Sequence, residues 1–271
     1  MKRLLLVFLL SFLSFNASAA VVFSQPPDGT GALIPYSWVF PDGTDADMYA
    51  YDSFIIGSNQ AITEIRWRGG HVYGAPYGHV FDFSVTFYES IAGGSQPHVN
   101  NPQLPEIYLA YYMVGGAANE TYVGTFGGTA MYDYSFVLPT PFSAAAGVKY
   151  WVRVEGYQNV YPDWGMAVGT GGDGQHFEFS TGAAMFFFAS GDTAFSLLVP
   201  GLNTGDLNCD NAINAFDIDP FVLALTNPDA YGAAYPNCNI LNADVNCDGA
   251  VNAFDIDPIV QCLTVGCPPC P

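Results

Sequence analysis

Basic residues are scarce: the 271-residue chain has six Lys and Arg against 25 Asp and Glu. Two of the six, Lys2 and Arg3, stand at the N-terminus, and the other four, Arg66, Arg68, Lys149 and Arg153, leave the rest of the chain with a formal charge of −21. A chain this acidic repels phosphate backbones and anionic headgroups, which excludes nucleic acid and anionic membrane surfaces as partners. What it attracts is cations. The four histidines, His71, His79, His98 and His176, show no zincin spacing, and neither a GxSxG elbow nor an E-x-D-x-x-E strand pattern occurs. Glu64, Glu89, Glu106, Glu155 and Glu178 are available for glycoside hydrolysis, but nothing in the sequence sets two of them across a cleft. The chain is therefore read as non-enzymatic.

Long apolar runs are confined to the beginning. MKRLLLVFLLSFLSFNASAA carries two basic residues, an apolar stretch from Leu4 to Phe15 and small residues at Ala17, Ser18 and Ala19, the pattern of a secretory leader (1–19) cut after Ala19. The stretch is short for a membrane span, and no later segment approaches the roughly 20 apolar residues a membrane helix requires. The expected product is secreted, extracellular or at the cell surface, without membrane insertion.

Cysteine is absent from the first 208 residues; Cys209, Cys238, Cys247, Cys262, Cys267 and Cys270 all fall near the end. In an exported chain, an even number confined to so short a segment reads as a disulfide framework for a unit too small to be secure on its apolar core alone. Residues 201–271 are thus expected to form a separate, stapled domain.

Residues 20–200 have no helical periodicity. They hold instead short runs such as FDFSVTFYE (81–89), EIYLAYYM (106–113), MYDYSFVL (131–138), KYWVRVEG (149–156) and TAFSLLV (193–199), in which aromatic and β-branched residues alternate between Gly, Pro and Asn breaks. The expected fold is a mainly β sandwich of jelly-roll type. Its many aromatics suit either a core or a sugar-stacking surface. Trp67 and Trp151 lie in well-patterned strands and are assigned to the core, whereas Trp38 and Trp164, beside the turn-like PDGTDAD and YPDWG, are the surface candidates. Asp42, Asp45 and Asp47 read as a solvated turn.

The phrase NAFDIDP occurs twice, at 214–220 and 252–258, each time preceded by a similar block. DLNCDNAINAFD (206–217) and DVNCDGAVNAFD (244–255) place oxygen donors at their first, third, fifth, ninth and twelfth positions, the spacing of a loop that coils around one calcium ion. The expected ligands are Asp206, Asn208, Asp210, the Ala212 carbonyl, Asn214 and Asp217 in the first loop, and Asp244, Asn246, Asp248, the Ala250 carbonyl, Asn252 and Asp255 in the second. The sixth position needs a left-handed residue: Gly249 supplies it, and Asn211 is the side-chain-bearing residue that best tolerates it. With no Lys or Arg in 201–271, folding of this part is expected to depend on two calcium ions.

The segments DLNCDNAINAFDIDPFVLAL and DVNCDGAVNAFDIDPIVQCL resemble the type I dockerin domain, a duplicated EF-hand-like loop–helix module without the leading helix of an EF-hand. The resemblance implies a protein partner, a cohesin-like or other module, in a cell-surface or polysaccharide-degrading assembly. In that family the tenth and eleventh loop positions commonly carry a hydroxyl pair that touches the partner; here they are Ala215–Phe216 and Ala253–Phe254, which either anchor a more apolar interface or fill the small core between the helices. The expected function is a non-catalytic binding or scaffold protein that docks its sandwich through the C-terminal module. The alternative is a carbohydrate-active sandwich that binds or cleaves a polysaccharide.

The helices are expected to start near Ala215 and Ala253, with Pro220 and Pro258 in their first turns. Phe221, Val222 and Leu225 should then pack against Ile259, Val260 and Leu263. Cys209 and Cys247 share the fourth loop position, whereas Cys238 and Cys262 have no counterpart in the other copy. The economical pairing is Cys209 with Cys238, Cys247 with Cys262, and Cys267 with Cys270.

Overall fold

The computed structural model describes residues 19–34, 48–71, 80–91, 93–99, 107–158, 164–180 and 185–267. Residues 1–18 of the expected leader (1–19), Trp38, Asp42, Asp45, Asp47, His79, Glu106 and Cys270 lie outside them. The chain divides into two compact units, one of Ala20–Pro200 and one starting again at Gly201.

The first unit is built from β1 (Ala20–Gln25), β2 (Leu33–Ile34), β3 (Met48–Ile55), β4 (Gln60–His71), β5 (Asp82–Ile91), β6 (Gln96–Pro97), β7 (Ala110–Met113) and β8 (Thr121–Phe126). It continues with β9 (Thr129–Ala144), β10 (Lys149–Tyr157), β11 (Trp164–Gly169), β12 (Gln175–Ser180), β13 (Met185–Ser190), β14 (Asp192–Thr193) and β15 (Phe195–Val199). Among the described residues these form an eight-stranded antiparallel sheet ordered β1-β15-β4-β11-β14, with β9 also on β4, β8 on β9 and β2 on β11. The second sheet, of seven strands, runs β13-β12-β3-β10-β5-β6, with β7 also on β5. The neighbour orders β1-β15-β4-β9 and β3-β10-β5-β7 are those of a jelly roll.

Alternation explains the layering. On β4, Ile65 and Trp67 point inward while Arg66 and Arg68 point out. Phe83, Val85 and Phe87 of β5 meet them from the other sheet. Trp67 stacks on Tyr134 at 5.6 Å between centroids, and Phe87 on Phe142 at 4.3 Å. Trp164 is 1% exposed, meets Phe83 edge-on at 5.1 Å and donates its indole N–H to Tyr134 Oη at 3.2 Å. It is therefore a core residue and not a surface stacker, because β11 continues from the turn-like segment and carries the ring inward. Trp151 is buried too, but on the opposite face of its sheet, with Tyr51, Tyr88, Phe177 and Phe179. There the Arg153 guanidinium lies 5.0 Å from the Tyr49 ring and 3.1 Å from Glu155.

A buried polar cluster includes residues of β3, β12 and β14. Asp52 accepts from the Thr193 amide (2.6 Å) and hydroxyl (2.9 Å) and from the Ser53 amide (2.6 Å). His176 Nδ1 faces the Gly191 carbonyl at 2.6 Å and its Nε2 faces Glu178 at 2.7 Å, two acceptors that together call for a doubly protonated ring. Burial works against that charge, but the Glu178 and Gly191 contacts outweigh it and raise the His176 pKa. Burial also pushes Asp52 up to about 6, against its hydrogen bonds from Thr193 and Ser53.

The second unit holds three helices, α1 (Ile218–Thr226), α2 (Pro228–Ala234) and α3 (Ile256–Val265), with 3-10 turns at Ala215–Asp217, Ile240–Ala243 and Ala253–Asp255. Pro220 and Pro258 occupy first turns, where the missing N–H costs nothing. Helix α2 was not anticipated between the copies, though the sequence carries its signal: Asn227 caps the Ala230 amide, Pro228 opens the helix and Asp229 follows in the first turn. Its Tyr231 is buried and donates to the Leu207 carbonyl at 2.9 Å. The core consists of Leu207, Phe221, Ala224, Tyr231, Ala243, Val245 and Ile259 with Cys238 and Cys262. Val222 and Val260, expected in it, are 49% and 54% exposed, because each helix rotates its Phe221 or Ile259 side inward.

Cys209 bonds to Cys238 as expected. The other two expected bridges do not form: Cys262 bonds to Cys267. Helix α3 ends at Val265, Gly266 turns the chain at φ 101°, and the Cys267 Cα returns to 4.0 Å from that of Cys262. Cys247 is also disulfide-bonded. Disulfides of this kind fit an oxidising, extracellular environment, and among the described residues no helix is long and apolar enough to cross a membrane.

The Cys209–Cys238 and Cys262–Cys267 bridges close spans of 29 and 5 residues. In the loop-entropy picture, losing the first costs about 3 to 4 kcal/mol and losing the second about 2. Chemical denaturation of the paired Cys→Ala variants should rank them in that order, and equal midpoints would contradict it. A pH prediction follows from Asp52. Its folded pKa of about 6 lies above its ordinary value of 3.8, so the folded unit binds the proton more tightly, and this stability is complete below the ordinary value and lost as pH rises through 6. Going from pH 7 to pH 5 should therefore stabilise the wild-type sandwich by about 1 kcal/mol through this group. Asp52→Asn should flatten that part of the pH profile; an unchanged slope would show that Asp52 does not titrate there.

Candidate functional site

The two duplicated loops fold alike, with the same amide-to-carboxylate bonds in each. Position four is left-handed in both, at Cys209 (φ 56°) and Cys247 (φ 60°), and so is position six, at Asn211 (φ 68°) and Gly249 (φ 89°). These reversals coil the backbone so that its amides point at the first carboxylate. Asp206 accepts from the Asp210 amide (3.2 Å) and the Asn211 amide (3.0 Å), and Asp244 from those of Asp248 (3.1 Å) and Gly249 (2.9 Å). Asn208 and Asn246 accept from the amide of the fifth residue, at 3.0 and 2.9 Å.

The twelfth position closes each loop. Asp217 Oδ1 accepts from the amides of Leu207 (2.7 Å) and Asn208 (3.1 Å), and its Oδ2 from that of Asn214 (2.8 Å). Asp255 makes the same three contacts with Val245 (2.8 Å), Asn246 (3.0 Å) and Asn252 (2.9 Å). Asn214 and Asn252 cap the turns that launch the helices, so the ninth position both belongs to the loop and starts the helix. Leu207 and Val245, at position two, are wholly buried and anchor the loops in the core. Asn242 ties the first loop to the approach of the second, donating to the Asp206 carbonyl at 2.7 Å and accepting from the Asn203 amide at 2.8 Å. It was not foreseen, and no repeat could have revealed it, because it has no counterpart.

The electrostatics are one-sided. Asp217 and Asp255 are fully buried, Asp206 is 1% exposed, and no basic residue exists in 201–271 to balance them. Burial, with the Asp217 and Asp210 charges adding to it, raises the Asp206 pKa. Among the described residues no group of three or more His, Cys, Asp or Glu side chains is placed to hold a metal ion. The donors of each loop are mixed, with three carboxylates, two carboxamides and one carbonyl expected. An all-oxygen set suits a hard cation such as calcium and not a thiolate-seeking metal. The expected ligand residues thus share two loops, and the amides that line each loop already hold their carboxylates in place.

Each loop also presents an apolar stripe. Phe216 and Phe254 are 77% and 78% exposed, so neither fills the core. Ile218 and Val222 continue the first stripe, and Ile256 and Val260, displaced by the repeat, continue the second; all four are exposed. The sequence pointed to the Phe residues but put Val222 and Val260 inside. Ala215 and Ala253 open the 3-10 turns beside them.

No protein-family model matches the chain, and no curated protein matches it in sequence. The class stands on geometry: a jelly-roll sandwich followed by a duplicated loop–helix unit.

Proposed function

We propose that residues 201–271 form a dockerin-like module that binds two calcium ions and docks an exported, non-catalytic sandwich to a protein partner, a cohesin-like or related module. The observation that carries this reading is the burial of the twelfth-position carboxylates without any basic residue in the unit. Buried charges demand a counter-charge or a proton. Asp206, Asn208, Asp210, the Ala212 carbonyl, Asn214 and Asp217 would hold one ion, and Asp244, Asn246, Asp248, the Ala250 carbonyl, Asn252 and Asp255 the other. Calcium supplies charge neutralisation, while the chain's own amides orient the carboxylates and the closing aspartates fix where each helix begins.

The docking half rests on the exposed stripes. Large apolar side chains in matching places on both copies are costly to leave in water unless a partner covers them. An aromatic anchor beside aliphatic neighbours is the usual centre of a tight interface. The Phe residues in place of the family's hydroxyl pair favour a partner with an apolar receiving surface.

Calorimetry of the full chain tests the first half. Saturating calcium should move the transition of the C-terminal unit upward by more than about 10 °C relative to chelator, since each site filled at a hundred times its Kd adds about 2.7 kcal/mol. Asp244→Ala should leave one site of two. Identical transitions in calcium and chelator would refute the loop assignment. For the second half, Phe216→Ala and Phe254→Ala should each change stability by less than about 0.5 kcal/mol, as at other exposed sites. The double variant should lose its calcium-dependent partner in pull-downs from the producing cells' surface fraction, and retention of that partner would exclude the stripes as the docking surface.

A further inference from the structure

Two of the four basic residues beyond the leader, Arg66 and Arg68, stand two apart on the outward face of β4. Antiparallel register puts Arg66 between Ser196 of β15 and Ser135 of β9, and Arg68 beside Asp133, which in turn pairs with Thr121 of β8. These side chains line a cavity of about 370 Å³ together with Gln25 and Asn119. Small-ligand sites begin at about 300 Å³.

Each guanidinium is hydrogen-bonded along one edge only, and that of Arg68 also lies over the Phe126 ring at 6.0 Å from its centroid. Arg66 donates through Nε to Glu64 at 2.6 Å, and Arg68 through Nε and Nη2 to Asp133 at 2.6 and 2.9 Å. Among the described residues, both Nη groups of Arg66 and Nη1 of Arg68 make no hydrogen bond. A guanidinium carries five N–H donors in a rigid plane, so pinning Nε fixes the direction of the unspent ones. Glu64, just outside the lining, and Asp133 each offset one arginine from 2.6 Å, so the cavity is close to neutral in a strongly acidic chain, and what it offers an anion is the directed, unspent N–H donors. Serving only as ion pairs, these residues would add little: Arg66 is 53% exposed, where such pairs contribute least.

The rest of the lining mixes the hydroxyls and amides of Gln25, Asn119, Thr121, Ser135 and Ser196 with apolar and aromatic residues, among them Pro27, Ala194 and Phe195. Asn119 donates through Nδ2 to the Ser135 hydroxyl at 3.2 Å, and it does so from a left-handed backbone (φ 55°) next to Ala118, also left-handed (φ 50°). Two consecutive non-glycine residues in that region hold the carboxamide in the cavity lining at a conformational cost.

We propose that this outer face of the eight-stranded sheet binds an anionic, hydroxyl-rich ligand, the chemistry of an acidic sugar, with Arg66 and Arg68 receiving its carboxylate and Ser135, Ser196, Thr121 and Asn119 its hydroxyls. The site is independent of the docking stripes and stands whether or not they bind a partner.

The test uses the nitrogen-15 Nε–Hε signals of the full chain in excess calcium. Beyond the leader only Arg66, Arg68 and Arg153 carry such groups, and the buried Arg153 serves as internal control. Titration with D-glucuronate should move the Arg66 and Arg68 signals saturably and leave that of Arg153 still, with glucose and acetate far weaker. Arg66→Gln should weaken glucuronate binding by about tenfold or more, the worth of one charge-assisted hydrogen bond, without changing the melting temperature. Absence of saturable movement, or an unaltered affinity in Arg66→Gln, would overturn the site, and acetate matching glucuronate would overturn the acidic-sugar assignment.

Discussion

The carboxylates of Asp217 and Asp255 sit at the centre of the C-terminal unit's architecture. Each is fully buried and takes three backbone amides from its own loop. Those bonds set the coil of the loop, the place where the helix starts and the burial of Leu207 and Val245. They leave a net negative charge that nothing else in the unit offsets. A small domain with so few apolar residues gains little from its core, so its stability is tied to whatever supplies the missing charge and to the disulfides that shorten its unfolded chain.

The exposed stripes follow from the same geometry. The closing aspartate fixes the helix start, and the 3.6-residue period then sends Phe221 and Ile259 inward and their neighbours Val222 and Val260 out. Duplication makes the result appear twice. Repetition preserves a surface as faithfully as it preserves a loop, and the agreement of the two copies in exposure is hard to attribute to packing, since the two helices meet different neighbours: α1 has α2 beside it and α3 ends in its own disulfide.

The sandwich handles charge differently. Two of its buried pairs balance locally, His176 with Glu178 and Arg153 with Glu155, Asp52 is left without a cation and its pKa rises instead, and Arg66 and Arg68 share one sheet face while Lys149 lies on the other sheet. Basic residues are rare enough in this chain that their placement carries information: among the described residues, Arg66 and Arg68 stand two apart on one strand face, while Lys149 and Arg153 lie four apart on β10, where Arg153 is buried.

The sequence alone determined what is periodic or repeated. Period-two alternation identified the strands and the inward Trp67, and the thirty-eight-residue offset between NAFDIDP copies identified two equivalent loops, because both signals are local and survive without knowledge of distant neighbours. The Cys209–Cys238 pairing was also within reach, since duplication separates matched from unmatched cysteines. Only the tertiary structure decided the rest. Whether Trp164 faced in or out depended on β11 joining β4 across the sheet. The rotation of each helix depended on Phe221 and Ile259 finding Leu207, Val245 and Tyr231, the last contributed by a helix no repeat announced. Cys262 met Cys267 because Gly266 reversed the chain after α3. The arginine-lined cavity exists only because strands far apart in sequence align in register, and side chains brought together by long-range pairing leave no mark in the order of residues.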